Sequence, residues 1–222
     1  MVMATSASTA ARTSLASVTL EVADPGDARR FYSAFGVDAY VGLRATSEAP
    51  STGFRGFTLG LTVSGPATVD GFFGAAVDAG ATVLKPAAKS LWGYSGVVRA
   101  PDGTIWKIAT SAKKDTGPDT REIDEVVLLL GVEAVKVTRQ FYADRGLTVA
   151  KSFGGKYVEF AAGPSSAVKL ALYKRRALAK DLGVPVDGSG SHRIVLGGTA
   201  DAFTDPDGFA WEAAAPPAPA SS

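Results

Sequence analysis

Two stretches of the 222-residue chain decide the reading: Arg30-Phe31-Tyr32-Ser33-Ala34-Phe35-Gly36 and Gln140-Phe141-Tyr142-Ala143-Asp144-Arg145-Gly146. Each follows a run of strand character, Ser-Val-Thr-Leu-Glu-Val at 17–22 and Glu-Val-Val-Leu-Leu-Leu at 125–130. A second shared block closes each copy. It reads Ala-Pro-Asp-Gly-Thr-Ile-Trp-Lys at 100–107 and Asp-Pro-Asp-Gly-Phe-Ala-Trp-Glu at 205–212. Matching blocks in the same order, half a chain apart, are the signature of a duplicated unit.

Working outward, the first half reads as a strand near 16–23, then a helix over 25–35 whose Phe31 and Phe35 share a face and which Gly36 stops. A strand over 58–63 leads to a helix over 66–80, opened by Pro66 and carrying Phe72, Phe73, Ala76 and Val77 as its apolar stripe. Strands near 81–85, 94–100 and 104–109 follow, the last two joined by a Pro101-Asp102-Gly103 turn. The second half predicts strand 124–131, helix 133–145, strands near 147–153, 156–161 and 167–173, a short helix near 175–182 and a strand over 192–197. Only a few residues separate Gly198 from Asp205, so the last quarter has no room for the helix that the first half places at 66–80. The expected organisation is a tail at 1–14, a first half at 15–110, a polar Gly/Pro-broken linker at 111–121, a second half at 122–214 and a tail at 215–222.

Composition removes whole classes of function. Lys and Arg number 23 against 22 Asp and Glu, a net charge of +1 that gives no field for nucleic acid. With no cysteine, disulfides, thiolate metal sites and cysteine nucleophiles are impossible. The single histidine, His192, excludes any site needing two imidazoles from one chain, such as a two-His-one-carboxylate iron centre. No apolar run approaches the roughly 18–20 residues of a membrane helix, and residues 1–15 lack the apolar core of a signal peptide. The expectation is a cytoplasmic protein with no nucleic-acid or membrane partner, monomeric or a weak homodimer.

Four β-α-β-β-β quarter-units in two tandem halves, with Phe-Tyr then Gly after the first strand and Pro-Asp-Gly before the last, resemble the vicinal oxygen chelate superfamily. Its members include glyoxalase I, bleomycin-resistance proteins and extradiol dioxygenases. The resemblance covers about residues 15–214. It implies an α+β fold of half-open curved mixed sheets, the glyoxalase/bleomycin-resistance fold, with a small molecule held in a sheet cup. It also implies where metal ligands would stand. In the first half those slots hold Ser17, Thr58 and Lys107; in the second they hold Glu125, His192 and Glu212, with Leu170 at the remaining slot.

Two pairings of the quarters remain open at this stage. Pairing within halves joins Glu125 to His192 and Glu212; pairing across halves joins Ser17 to those two and sets Glu125 against Thr58 and Lys107. The leading expectation is a small-molecule-binding cup without a complete metal site, Trp92, Tyr94, Lys107, Phe153 and Tyr157 lining it. The alternative is a divalent-metal lyase or isomerase of glyoxalase type. In it His192, Glu212 and Glu125 would hold Zn, Ni, Mn or Mg, and Glu212 and His192 would serve as catalytic groups. A structural remnant is a third reading, and the lone histidine argues against a dioxygenase.

Overall fold

The computed structural model describes residues 13–46, 48–115, 117–163, 166–198 and 201–213. Of the expected tails, only Thr13 and Ser14 fall among these; the rest of 1–14 and all of 215–222 lie outside the described residues.

The first quarter supplies β1 (Leu15–Val22), α1 (Pro25–Phe35) and β2 (Gly42–Ala45), with a single helical turn at Asp38–Tyr40 between the last two. Asp24 caps α1 by accepting from the amides of Gly26 and Asp27, and Gly36 ends it at φ +87°, a conformation glycine takes without strain. A short β3 (Thr52–Gly53) leads to the second quarter: β4 (Phe57–Thr62), α2 (Pro66–Asp78), β5 (Thr82–Ser90), β6 (Gly93–Arg99) and β7 (Ile105–Thr110). The third quarter is β8 (Glu125–Val132), α3 (Val135–Asp144), β9 (Val149–Phe153), β10 (Tyr157–Phe160) and β11 (Val168–Lys174). Helix α4 (Arg175–Leu182) and a two-residue β12 (Gly188–Ser189) precede the last quarter, β13 (Ile194–Gly198), β14 (Phe203–Thr204) and β15 (Ala210–Ala213).

The quarters pair across the halves. The second and third build an eight-stranded sheet in the order β5-β6-β7-β4-β8-β11-β10-β9, joined where β4 runs antiparallel to β8. The first and last build a five-stranded sheet, β14-β15-β13-β1-β2, joined where β1 runs antiparallel to β13. β12 pairs with β3 as a separate clip. The segment 111–121 is therefore the connection from β7 to β8 within one sheet.

The two sheets are unequal versions of one design. β7-β4-β8-β11 corresponds strand for strand to β15-β13-β1-β2, with the same parallel and antiparallel senses. The larger sheet adds a hairpin at each edge. In the smaller one the β5–β6 hairpin and α2 have as counterpart only β14, and among the described residues no helix follows β13.

Strand alternation sets what each face presents. Val18, Leu20 and Val22 of β1, Leu59 and Leu61 of β4, Trp106 and Ile108 of β7 and Val126, Leu128 and Leu130 of β8 enter one continuous core with the apolar faces of α1, α2 and α3. The repeated sequence blocks meet there. Tyr32 of α1 donates to Asp102 Oδ2 at 2.6 Å, and Tyr142 of α3 donates to Asp205 Oδ2 at 2.6 Å while accepting from Trp211 Nε1 at 3.1 Å. Burial, and then the neighbouring carboxylate, pushes both phenols well above the usual tyrosine range. Each Phe-Tyr motif is thus a latch onto its own half's closing block.

Candidate functional site

The opposite face of the eight-stranded sheet carries the alternate residues. Across the middle of that sheet, register aligns Val97, Lys107, Gly60, Val127 and Lys169, from β6 through β7, β4 and β8 to β11. The next row toward the start of β8 is Ser95, Ala109, Thr62 and Glu125. The slot assigned to Leu170 needs correction. Leu170 is buried in the core, and its neighbour Lys169 stands on the open face, because a one-residue step in a strand reverses the side chain.

Lys169 is the hub of a charge network. It pairs with Glu125 in a close contact and lies 3.8 Å from Glu159, which also takes Lys151 at 3.2 Å and the Tyr157 hydroxyl at 3.0 Å. The hydrogen bond that Lys169 donates to Glu125, ahead of the opposing effect of burial, raises the Lys169 ammonium above its ordinary range. Burial and then Glu159 raise the Tyr157 phenol. Glu159 is only 6% exposed, so the Tyr157 hydrogen bond and the two ammonium groups paired with it are what allow a carboxylate there. Glu159 and Lys169 alternate on their strands with buried apolar residues, a period-2 signal that sequence reading missed.

At the other end of this face α4 fills the cup. Leu178, Ala179 and Leu182 are buried against Phe54, Val97 and Ile105, with Leu129 and Tyr173 alongside. Its C-terminal end is tied down twice: Lys107 Nζ donates to Asp181 Oδ2 at 2.6 Å, and Lys85 Nζ donates to the backbone carbonyls of Lys180 and Asp181. Between α4 and the β5–β6 hairpin remains a cleft of about 320 Å³ lined by Lys85, Lys89, Trp92, Val97, Lys107 and Asp181, among others.

The expected lining residues divide. Trp92 sits at the hairpin tip, 84% exposed, and borders the cleft with Lys107. Tyr94 contributes to the cleft wall, but its hydroxyl donates to Asp70 of α2 at 2.8 Å, on the helix side of the sheet. Phe153 and Tyr157 lie together on the open face, ring centres 6.0 Å apart, on the β9–β10 hairpin at the far edge from Trp92.

The expected metal set is not brought together. Glu125 belongs to the eight-stranded sheet, whereas His192 and Glu212 belong with the five-stranded one. His192 is wedged before β13, with Nδ1 2.5 Å from the Arg55 carbonyl, Nε2 3.0 Å from the Asp207 carbonyl and its ring stacked on buried Phe209. Both ring nitrogens are thus taken up by backbone carbonyl contacts. Glu212 lies on the open face of the small sheet, in register with Gly197 and Ser17, where Arg44 spans from Glu21 to both Glu212 oxygens. The hydrogen bonds that Arg44 donates to Glu21 and then Glu212 raise its guanidinium above the usual range. Across the larger sheet, the four corresponding slots hold Thr58, Lys107, Glu125 and Lys169. Two ammonium groups stand among them, the wrong charge to ligate a cation. Among the described residues no group of three or more His, Cys, Asp or Glu side chains is placed to hold a metal.

A further cavity, about 530 Å³, lies elsewhere, along α1 beside the Pro101-Asp102 turn. Its carboxylates are already engaged: Asp24 caps α1, Asp27 pairs with Arg30, and Asp102 takes Tyr32.

No protein-family model matches the chain, and no curated protein matches it significantly in sequence. Solved structures do. Glyoxalase I from Zea mays aligns over 90% of this chain and 91% of its own at 12% identity, with a TM-score of 0.55. A putative dioxygenase from Bacillus subtilis aligns over 83% of this chain and 70% of its own, also at 12% identity, with a TM-score of 0.50. Identities this low speak for the backbone arrangement alone. Joined to the four quarter-units, their antiparallel seams and the two unclosed sheets, they establish that this chain has the fold seen in glyoxalase I.

Proposed function

We propose that the protein binds a small organic molecule in the cleft between the β5–β6 hairpin and α4, and does so without a metal ion. The observation that carries the reading is the cleft itself: a concavity of about 320 Å³ on the open face of the complete sheet, bordered by an exposed tryptophan and floored by Lys107. Its size falls at the lower end of small-molecule sites. The neighbouring row is committed to internal pairing: Lys169, Glu125, Glu159 and Tyr157 bond to one another, which favours a scaffold for binding over a set of idle acids and bases. The metal-dependent lyase or isomerase reading lacks an assembled ligand set among the described residues. Activity on the bound molecule is not required by this reading. A cytoplasmic location, a monomeric or weakly dimeric state and the absence of nucleic-acid and membrane partners belong to the same proposal, on the strength of composition. No helix among the described residues is long and apolar enough to cross a membrane.

The test is a thermal-shift panel of small metabolites and aromatic acids, amines and neutral compounds, with tryptophan emission read in parallel. Trp106 and Trp211 are buried, so quenching by an added aqueous quencher reports Trp92. A ligand at 100 times its Kd stabilises by about 2.7 kcal/mol, or roughly 5–10 °C for a chain of this size. A melting temperature and an emission that no compound moves at millimolar concentration would overturn the proposal.

A further inference from the structure

The cleft already holds an anion of its own. Asp181, at the C-terminal end of α4, lays its carboxylate on Lys107 Nζ at 2.6 Å, and its side chain remains 45% exposed. Around that contact the wall is cationic: Lys85, Lys89 and Lys107 face one carboxylate. Lys85 is partly spoken for, since it donates to the last carbonyls of α4, the negative end of that helix. Lys89 is exposed and lines the same cleft. Trp92, 84% exposed on the hairpin tip, supplies a flat apolar plate at the lip, far more uncovered than an indole of that area usually stands.

From this arrangement we infer that the ligand is an aromatic carboxylate whose anionic end takes Lys107 in exchange for Asp181 while its flat body lies against Trp92. The inference rests on the small-molecule reading above and names its chemical class. The exchange is nearly balanced because a partly exposed ion pair contributes little of its own, so an incoming carboxylate that also buries an aromatic ring is favoured over the side chain it replaces. An ammonium-bearing ligand of the same shape would instead add a fourth positive charge beside three lysines. In this reading Asp181 is a resident competitor, and occupancy of the cleft loosens one of the two ties at the end of α4.

The experiment compares naphthalene-2-carboxylate with 2-naphthylmethylamine, equal in ring and opposite in charge, on the full chain by calorimetry and Trp92 quenching at low and high salt. The carboxylate is expected to bind about tenfold or more tightly than the amine, with the margin shrinking as salt rises. Lys107→Met should weaken carboxylate binding about tenfold, the loss of one charge-assisted contact. Asp181→Asn should tighten it severalfold, a gain that a merely structural role for Asp181 does not produce. Equal binding of the two probes, or an Asp181→Asn variant that binds the carboxylate no better, overturns the inference. The probe comparison uses the unaltered chain and decides even where a variant fails to fold. Binding of the amine or of neutral compounds without preference for the carboxylate would leave the cleft a ligand site and reject only this class. Failure of both probes together with a silent panel would remove both.

Discussion

Replacing Tyr142 by Phe separates the two latches that the repeated motifs build. The Tyr142 hydroxyl is buried, donates to Asp205 at 2.6 Å and accepts from Trp211 Nε1 at 3.1 Å. Phenylalanine preserves the ring contacts with Phe160 and Trp211 but strands two buried groups at once. Losing a hydrogen bond to a charged group costs about 1.5–3 kcal/mol, and an unpaired buried N–H adds about 1 kcal/mol, so the total is roughly 2–4 kcal/mol. Asp205 keeps two amide donors, from Asp207 and Phe209. In the other latch, Tyr32→Phe takes one donor from the half-buried Asp102, which keeps the Thr104 amide. Trp106 Nε1 lies beside Tyr32 without reaching hydrogen-bond geometry, so that variant strands no indole. Its cost is about 1–2 kcal/mol. At about 2–4 °C per kcal/mol, Tyr142→Phe should lower Tm by roughly 5–15 °C and Tyr32→Phe by about half as much or less. The Tyr142 bond also holds the Asp205 carboxyl down against the rise that burial imposes. Without it the folded-state pKa climbs further, so the variant's deficit should be largest with Asp205 ionised near neutral pH and shrink as pH falls and the carboxyl protonates. Denaturant melts of both variants at pH 7 and pH 5 decide the matter. Equal losses for the two tyrosines, or a Tyr142→Phe deficit that grows on acidification, would refute the reasoning.

Two further outcomes follow from the same geometry. Tyr32 and Tyr142 have folded-state phenols pushed well above 10, so the stability this confers is intact below about pH 10 and is lost above it at about 1.4 kcal/mol per group per pH unit. Absorbance at the tyrosinate band should therefore show these two ionising only as the protein unfolds, and their titration near pH 10 in folded protein would contradict the burial argument. His192→Ala should cost about 1–3 kcal/mol, through lost carbonyl contacts and the Phe209 stack, and leave the metal content of the purified protein unchanged by elemental mass spectrometry. Loss of one ion per chain in that variant would restore His192 as a ligand.

What was legible in the sequence is what is local. Helix α1 runs over Pro25–Phe35 and ends at Gly36 as expected, and α4 runs over Arg175–Leu182, the range expected for it. The Phe-Tyr and Pro-Asp-Gly blocks were recognisable because each latch recruits residues within its own half. Across-half pairing was not, since β1 and β13, or β4 and β8, carry alternations that satisfy either arrangement. No strand is expected between the helix over 25–35 and the strand over 58–63, yet Gly42–Ala45 forms β2, a short strand whose Arg44 becomes the bridge over the small sheet. The apolar stripe of α4 demanded a partner, but only the fold shows that this partner is the cup expected to stand open. His192 was singled out for its chemistry, while its position after a Gly/Ser turn, between two carbonyls, gives it a packing role.

The seam between β1 and β13 has a consequence for synthesis. The eight-stranded sheet ends with β11 at Lys174, but Leu15–Val22 finds its partner only when residues 194–198 follow. At about 5–20 residues per second that interval is roughly 10–40 s. Over that time the nascent chain carries an apolar strand with one edge unpaired, a state that invites chaperones or a neighbouring chain. Neither tandem half, made alone, would contain a whole sheet: the repeat runs in series along the chain, but the sheets join its second quarter to its third and its first to its last.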